Sequence, residues 1–479
     1  MFVFLQRWIV EGVERSGISE QHRKRGIVTL IDNLRGRLAG PVLGPADDDF
    51  ATEIAAWNTA NQHTPEVAVG LTSEDDAAAL VRTAAESGTP IRVLATGHGS
   101  ATPVTGGILA TTSRLTGVTI DAENRIAHIA AGCRWAEVVA AAAEHGLAPI
   151  TGASDTVGCI GYTLGGGLGP LARTYGFSSD WARGFRIAVA SGEVVSANAT
   201  ENPDLFWALR GGKGGFGIVT SMDFELVELT TLYGGSVFFD GPEIGAAVST
   251  WVDWTKTLPE TATSSAVILR LPPLEFIPEP LRGKTVLSVR FAFVGDPAEG
   301  ERLFQPIRDV GATLIDAVGE MPASAIATIH NDPKDPGPGW DRGMLLNEID
   351  AEYVAAFLAA AGPDQQVPFV AIEIRHLGGA TRRDVPEGSA VGGRGGAYTL
   401  FMVGVPDPSL FEKVLPMAAD ALVEPLRPWI AAENTVNLAG GLTVPGSYEA
   451  SWPAETFSRL AEVRAAYDPN MLFPYGPPS

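Results

Sequence analysis

Two glycine-rich segments hold the residues of this 479-residue chain that are best suited to chemistry. The first is a turn at residues 96–100, which reads Thr-Gly-His-Gly-Ser and follows an apolar run at 91–95. The flanking glycines leave the imidazole of His98 with little steric cover, so the ring can be presented to a ligand. A lone histidine is more often structural or solvated than chemical, but this setting favours a functional site.

The second segment, residues 152–169, contains glycine at seven positions. Such a run lets backbone approach a ligand closely, permits positive φ, and exposes N–H groups that can hold an anion such as a pyrophosphate. It does not fit the dinucleotide fingerprint, because no clear strand leads into it and no acidic residue follows at the ribose distance. It is not a Walker loop either, because no Gly-Lys-Ser/Thr is present. The alternative is a glycine-rich surface loop, which the upstream histidine turn makes the weaker interpretation.

The composition bounds the class of protein. A chain of 479 residues is too long for one ordinary core and predicts two domains. Its net charge of −22 argues against nucleic acid or an anionic membrane as a partner. The two cysteines, Cys133 and Cys159, cannot form a disulfide framework, and we expect buried thiols. We predict no metal site and leave the oligomeric state open.

The N-terminus does not resemble a targeting segment. Residues 1–10 are apolar, but Arg7 interrupts the run, Glu11 follows it, and no small-residue cleavage site is evident. We therefore expect neither a signal peptide nor a membrane span, and we expect a cytoplasmic location. Residues 1–30 are interpreted as a start-site artefact or an atypical extension.

Periodicity predicts an α/β region followed by an antiparallel sheet. A capped helix at 72–86 between strands at 67–69 and 91–95 begins the first region. It continues with a strand at 126–130, a helix at 134–145, a hairpin at 182–196, a helix at 201–209 and a strand at 218–229. Strand-like runs recur at 235–239, 265–271, 285–294, 369–377 and 398–405, with helical stretches such as 352–361 between them. This second pattern suits an antiparallel sheet backed by helices, and an amphipathic helix at 456–466 ends the chain.

Two further segments complete a pattern that resembles a known family. Residues 202–220 include Arg-Gly-Gly-Lys-Gly-Gly-Phe-Gly, and residues 467–473 read Tyr-Asp-Pro-Asn-Met-Leu-Phe. With the first two segments, they resemble the flavin-binding core of the berberine bridge enzyme-like FAD-linked oxidases, within the vanillyl-alcohol oxidase superfamily. The resemblance covers about residues 62–229 and 430–475 and is weak between them, where substrate specificity would lie.

The resemblance implies a fold of the α+β class: a two-domain PCMH-type FAD-binding fold with an antiparallel-sheet substrate domain. The predicted parts are 1–60 (N-terminal extension and start of the FAD domain), 61–229 (FAD-binding domain), 230–425 (substrate-binding domain) and 426–479 (C-terminal segment returning to the FAD domain).

The resemblance also implies FAD as the cofactor, attached through a single residue. His98 lies where the family's histidine forms the 8α bond to the flavin. Ser154 stands where bicovalent members carry a cysteine bonded to flavin C6, and serine cannot form that thioether. Val157 falls at the oxygen gatekeeper position, which favours an oxidase, although packing alone would equally explain a valine. The implied FAD-binding residues are Ala95, Thr96, Gly97, His98, Gly99, Ser100, Gly152, Ser154, Thr156, Val157, Gly158, Gly161, Tyr162, Gly165, Gly166, Gly167, Gly217, Ile218, Val219 and Asn437.

The catalytic base is not evident from the resemblance. Many members place a tyrosine two residues before an asparagine; here Asn437 fits, but Thr435 stands at the tyrosine position, and threonine is a poor general base. On the strand at 369–377, alternation places Glu373 and Arg375 on one face. They are either an acid/base and anchor pair, or a solvated face or structural ion pair. Tyr398 is a further candidate.

These residues predict an FAD-dependent oxidase. A small-molecule substrate, either carbohydrate or secondary metabolite, would lose a hydride from an alcohol- or amine-bearing carbon, and oxygen would accept the electrons and give hydrogen peroxide. Two alternatives stay open: an FAD dehydrogenase with another acceptor, and a degenerate protein that binds flavin or ligand without turnover.

Overall fold

Four β-sheets organise the chain in the computed structural model, which describes residues 25–99, 102–440 and 446–475. Ser100 of the histidine turn and residues 1–24 of the N-terminal extension lie outside the described residues. Among the residues that are described, no helix is both long and apolar enough to cross a membrane.

The first sheet contains the strand–helix–strand unit predicted from the sequence. Its elements are a helical segment α1 (residues 25–35), β1 (Val42–Leu43), α2 (Phe50–Glu53), β2 (Val67–Gly70), α3 (Glu74–Ser87), β3 (Ile91–Leu94) and β4 (Ile108–Thr111). The strand order is β1-β2-β4-β3, in which β2, β4 and β3 are parallel. Ser73 caps α3 by accepting from the amide of Asp76, and Gly88 ends the helix with φ +65°. The strand β3 therefore delivers the chain directly to the histidine turn.

The second sheet is antiparallel, and a small two-stranded sheet lies beside it. Its part of the chain contains β5 (Val118–Asp121), β6 (Ile126–Ala130), α4 (Trp135–Ala143), β7 (Leu147–Ala148), α5 (Cys159–Leu164), α6 (Ala172–Tyr175), β8 (Ala182–Ala188), β9 (Val194–Asn198), α7 (Pro203–Leu209), β10 (Ile218–Glu225) and β11 (Val227–Glu228). The order is β5-β6-β10-β8-β9, with β7 paired to β11. Two expectations are corrected: the glycine-rich loop contains the short helix α5, and the long strand at 218–229 is divided between two sheets.

The third sheet confirms the predicted antiparallel architecture. Its part of the chain contains β12 (Thr231–Phe239), α8 (Ile244–Thr255), β13 (Ala262–Arg270), β14 (Thr285–Phe293), α9 (Pro297–Arg308), β15 (Thr313–Asp316), β16 (Gly319–Pro322), β17 (Asp341–Leu346), α10 (Ala351–Ala361), β18 (Phe369–His376), β19 (Tyr398–Gly404) and α11 (Val414–Val423), and α12 (Ala454–Tyr467) follows. The strand order is β15-β12-β14-β13-β18-β19-β17, with β16 also on β12. One face packs apolar side chains against α8–α11, and alternation leaves a polar second face.

The buried apolar residues form two large clusters. One joins the first two sheets and includes Leu460 and Val463 of α12, as well as Leu472 and Phe473. The amide of Ile91 also donates to the carbonyl of Leu472 at 2.7 Å, so the chain end lies against β3. The other cluster lies between the third sheet and its helices. The domain boundaries given above remain predictions.

Candidate cofactor and substrate site

The ring of His98 is held between two threonine hydroxyls. Its Nδ1 lies 2.8 Å from Oγ1 of Thr96, and its Nε2 lies 3.1 Å from Oγ1 of Thr156. The indole of Trp57 stacks on the imidazole with ring centroids 4.5 Å apart and planes inclined by 18°. These contacts fix the position and the plane of the ring.

The imidazole of His98 is neutral at physiological pH. Burial lowers its pKa to about 4, and the nearby charge of Arg134 acts in the same direction. In a neutral ring one nitrogen donates and the other accepts, so one threonine hydroxyl donates to His98 and the other receives from it. One ring nitrogen therefore keeps a lone pair, which is the form that a nucleophile requires.

Ser154 lies beside His98, connected to it through Thr156. The hydroxyl oxygens of Ser154 and Thr156 are 2.9 Å apart. The carbonyl of Val157 accepts from the first amide of α4 at 3.1 Å, which anchors this segment. A Cβ at Gly158 would lie 3.3 Å from a methyl carbon of Thr96, so the two segments singled out in the sequence pack directly on each other.

Several glycines of the second segment make room for protein side chains. A Cβ at Gly152 or Gly167 would come within 2.8 Å of the ring of Tyr162, and one at Gly165 would collide with the amide of Asn437. Gly166 and Gly167 also have positive φ, at +97° and +85°. The resemblance assigns these glycines to close approach of the cofactor, but packing around Tyr162 and Asn437 is sufficient to require three of them.

Lys213 is a site residue that the sequence reasoning missed. Its Nζ donates to the carbonyl of Gly161 at 2.8 Å and to Oδ1 of Asn437 at 2.6 Å, and a Cβ at Gly99 would lie 3.9 Å from it. Burial lowers its pKa to about 8. Its backbone has φ +69°, a left-handed conformation that is uncommon outside glycine. A cation inside a glycine-rich motif of a chain with net charge −22 was the available signal.

The predicted adenine-binding backbone lies in the second sheet. Ile218 and Val219 on β10 pair with β8, and both side chains are buried. Gly217 has φ +146°, and its Cα faces the carbonyl of Ala188 too closely for a side chain. The described contacts of these residues are to β8 rather than to the two loops, and their role toward a cofactor remains a prediction.

Glu373 and Arg375 lie on one face of β18, as the alternation predicts. Oε1 of Glu373 lies 2.8 Å from Nη1 of Arg290, and Oε2 lies 2.9 Å from Nη2 of Arg375. The side chain of Glu373 is only 8% exposed, so the solvated-face alternative is wrong. Arg375 also donates to the carbonyl of Leu168 at 3.1 Å, which brings the pair to the end of the glycine-rich segment.

Glu373 is too weak a base to take a proton from an alcohol. Burial alone would raise its pKa, but Arg375, His330 and Arg290 together hold the pKa well below the usual range of a glutamate. Nε2 of His330 lies 3.6 Å from the carboxylate. The acid/base interpretation of the pair is therefore less favourable than the anchor interpretation.

The candidate Tyr398 lies on the other face of the sheet. Its hydroxyl is 2.9 Å from Oγ1 of Thr255 on α8, and its ring stacks on His376. Because β19 alternates in register with β18, Tyr398 faces the helices while Glu373 faces away from them. The structure therefore does not bring Tyr398 together with the other two candidates.

Comparison with known proteins points to a flavin-binding chain. Residues 65–198 match the FAD binding domain family. The uncharacterized FAD-linked oxidoreductase YgaK of Bacillus subtilis is 26% identical over 455 residues, 91% of this chain and 96% of that protein. The (R)-6-hydroxynicotine oxidase of Paenarthrobacter nicotinovorans is 34% identical over 194 residues, 40% of this chain and 42% of that protein.

These similarities support an FAD-dependent oxidoreductase. Solved structures with the same fold confirm its predicted fold class. BBE-like 1 from Physcomitrella patens has a TM-score of 0.80 at 18% identity, over 94% of this oxidoreductase and 99% of that chain. The glucooligosaccharide oxidase of Acremonium strictum, which carries a 6-S-cysteinyl, 8α-N1-histidyl FAD, has a TM-score of 0.77 at 20% identity, over 92% and 98% of the two chains.

The loops of the oxidoreductase fit the cofactor that the family implies. Among the described residues, no atom outside the neighbouring helix backbone lies within 4 Å of a Cβ placed on Gly161, so open space borders the backbone there, beside the ammonium of Lys213. Arg134 adds a second positive charge near His98. Backbone approach and the ammonium of Lys213 suit an anionic group of FAD, and the neutral His98 suits its flavin.

Proposed function

We propose that this oxidoreductase is an FAD-dependent oxidase whose flavin is attached through His98 alone. Bound FAD would accept a hydride from an alcohol- or amine-bearing carbon of the substrate, with oxygen as the final acceptor and hydrogen peroxide as the product. The observation that carries the proposal is the neutral imidazole of His98, held between Thr96 and Thr156.

The residues around His98 have distinct roles in this proposal. The two threonine hydroxyls orient the ring and determine which nitrogen keeps its lone pair. Ser154 has no thiol with which to form the second bond that the glucooligosaccharide oxidase carries. Lys213 would place a positive charge near the anionic part of the cofactor.

The substrate would lie between the glycine-rich segment and the polar face of the third sheet. The contact of Arg375 with Leu168 joins these two surfaces. We assign Arg375 to positioning of the substrate and Glu373 to holding Arg375 in place, because the low pKa of Glu373 makes it a hydrogen-bond acceptor rather than a base. The (R)-6-hydroxynicotine oxidase among the relatives and the valine at position 157 support oxygen as the acceptor.

Acid precipitation of the purified protein tests the attachment. We expect the yellow colour to stay with the pellet in the wild type and in His145→Ala, an exposed histidine, and to be lost from the pellet in His98→Ala. Yellow supernatant from the wild type would contradict the covalent bond. A protein that neither holds FAD nor takes it up would contradict the function as a whole.

A peroxide assay tests the acceptor. The reduced enzyme, mixed with air-saturated buffer, should reoxidise rapidly and release one hydrogen peroxide per flavin. Slow reoxidation in air, with rapid reoxidation by an artificial electron acceptor, would show a dehydrogenase instead.

A further inference from the structure

The polar face of the third sheet carries a row of side chains across three strands. Arg290 on β14 pairs with Ser265 on β13, and Ser265 pairs with Arg375 on β18. The neighbouring row places Ser288 on β14 and Glu373 on β18, on either side of Val267. Residues in one row on one face are neighbours, so these polar groups form a single patch.

The patch contains buried polar atoms that have no partner. The Oγ atoms of Ser265 and Ser288, Nδ1 of His330 and Nε of Arg375 are buried and make no hydrogen bond within the described chain. A small cavity of about 10 Å³ lies there, lined by Arg290, His330 and Arg375 among others. Ser265, His330 and Arg375 line this cavity, which is about the size of one water or one carboxylate oxygen. Buried polar groups are nearly always satisfied, so their orphaned atoms indicate a polar occupant.

The patch also has an excess of positive charge. Arg290 and Arg375 are cations, and Glu373 is the carboxylate that lies between them. Burial lowers the pKa of His330, and the charge of Arg290 adds to that effect, so this ring is neutral. The face itself thus carries two guanidinium charges and one carboxylate charge. Asp332, on the loop after His330, adds a negative charge near Arg375 from outside the face.

We propose that this face binds an anionic group of the substrate, a carboxylate, through Arg290 and Arg375. Guanidinium groups recognise carboxylates through charge-assisted hydrogen bonds, and the serine hydroxyls can complete the shell around the oxygens. A protonated amine at the same place would be repelled. The inference rests on the proposed function and narrows its substrates to molecules that carry an acid as well as the carbon that is oxidised.

Calorimetric titration of the anaerobic holoenzyme with matched acids and amides tests this assignment. The probes are mandelate against mandelamide and D-glucuronate against D-glucuronamide, which differ mainly in charge. We expect the wild type to bind at least one acid tenfold or more tightly than its amide. Arg375→Gln and Arg290→Gln should abolish that preference, whereas Arg270→Gln, a buried arginine outside the patch, should keep it.

The variant Glu373→Gln separates recognition from a structural role. Removal of the internal carboxylate leaves both guanidinium groups free, so the affinity for the acid should rise at least threefold while that for the amide changes little. A fall in both affinities would show that Glu373 only supports the fold, and it would overturn the assignment. A wild type that binds no acid more tightly than its amide, or binds neither, overturns it as well. If a neutral alcohol then reduces the flavin, the proposed oxidase still stands.

Discussion

The orientation of the His98 ring depends on two hydroxyl groups that are far apart in the sequence. Thr96 is two residues away, but Thr156 comes from the glycine-rich segment. A free imidazole would rotate and exchange its proton between the two nitrogens. Held between two hydroxyls and stacked on Trp57, the ring instead presents one orientation to its partner.

Removal of the hydroxyl of Thr156 should slow attachment of the flavin. We expect Thr156→Val to lower the rate of acid-stable flavin formation at least tenfold, because His98 loses one of its two orienting bonds. Thr156→Ser keeps the hydroxyl and should behave as the wild type. The measurement is the time course of acid-stable absorbance after FAD is added to the apoprotein. Equal rates in all three proteins would contradict the role of Thr156.

Lys213 should make the affinity for FAD dependent on pH. In a His98→Ala background, where no covalent bond forms, affinity should be constant up to about pH 8 and fall above it. The reason is that the free protein then loses the ammonium charge, whereas bound FAD favours the protonated lysine. Fluorescence titration between pH 6 and 10 measures this dependence.

Two variants define the contribution of the charge of Lys213. Lys213→Met should bind FAD at least tenfold more weakly at pH 7 and show no fall near pH 8. Lys213→Arg keeps the charge and should move the fall to higher pH. A Lys213→Met protein with unchanged affinity would show that the ammonium has only a structural role.

Among the elements, the turn after α12 determines how the chain end meets the first sheet. The carboxylate of Asp468 accepts from the amides of Leu472 and Phe473, at 2.8 and 2.7 Å. Leu472 in turn accepts from the amide of Ile91, at the start of the strand that leads to His98. The turn therefore supports the cofactor loop through the element that precedes it.

Substitution of Asp468 should destabilise the protein. Asp468→Ala leaves two buried amides without acceptors, so the free energy of unfolding should fall by about 2 kcal/mol or more. Denaturant unfolding measures the change. Asp468→Asn keeps one acceptor and should lose less, and Met471→Ala, at an exposed position of the same turn, should change little. A stable Asp468→Ala protein would show that other groups bind these amides.

For the molecule as a whole, Arg173 joins the two large clusters. This buried arginine lies just after the glycine-rich segment, and it donates to the carbonyls of Ala262 and Leu258 from β13 and the chain before it. It also donates to the carbonyl of Leu377, which follows β18. One fork of donors thus holds the third sheet against the segment that follows the glycine-rich loop.

Substitution of Arg173 should destabilise the protein. We expect Arg173→Met to lower the free energy of unfolding by at least about 3 kcal/mol, because several buried carbonyls lose their donors together. Arg173→Lys should recover only part of the lost stability, since one ammonium cannot reach the same set of acceptors. Calorimetry of both variants tests this, and two separate unfolding transitions in Arg173→Met would show that the two clusters had become independent. An unchanged transition would contradict the role of Arg173.

Local patterns in the sequence predicted much of the site. The glycine-flanked His98, the cap at Ser73 and the alternation that pairs Glu373 with Arg375 are all set by residues close together in the chain. Residues whose partners are distant were missed: Lys213 acquires its place only beside Gly161 and Asn437. The domain boundaries, the cytoplasmic location and the roles of the cofactor residues remain predictions.

The sequence by itself therefore determined the fold class, the two glycine-rich segments and the polar face of β18, because backbone geometry and hydrophobic period act over a few residues. Only the tertiary structure decided which polar groups meet. In the structure, Tyr398 lies on the helix-facing side of the third sheet, and Arg290 and His330 lie around Glu373. Arg290 and Glu373, for example, lie 83 residues apart in the chain, and no local pattern encodes their contact.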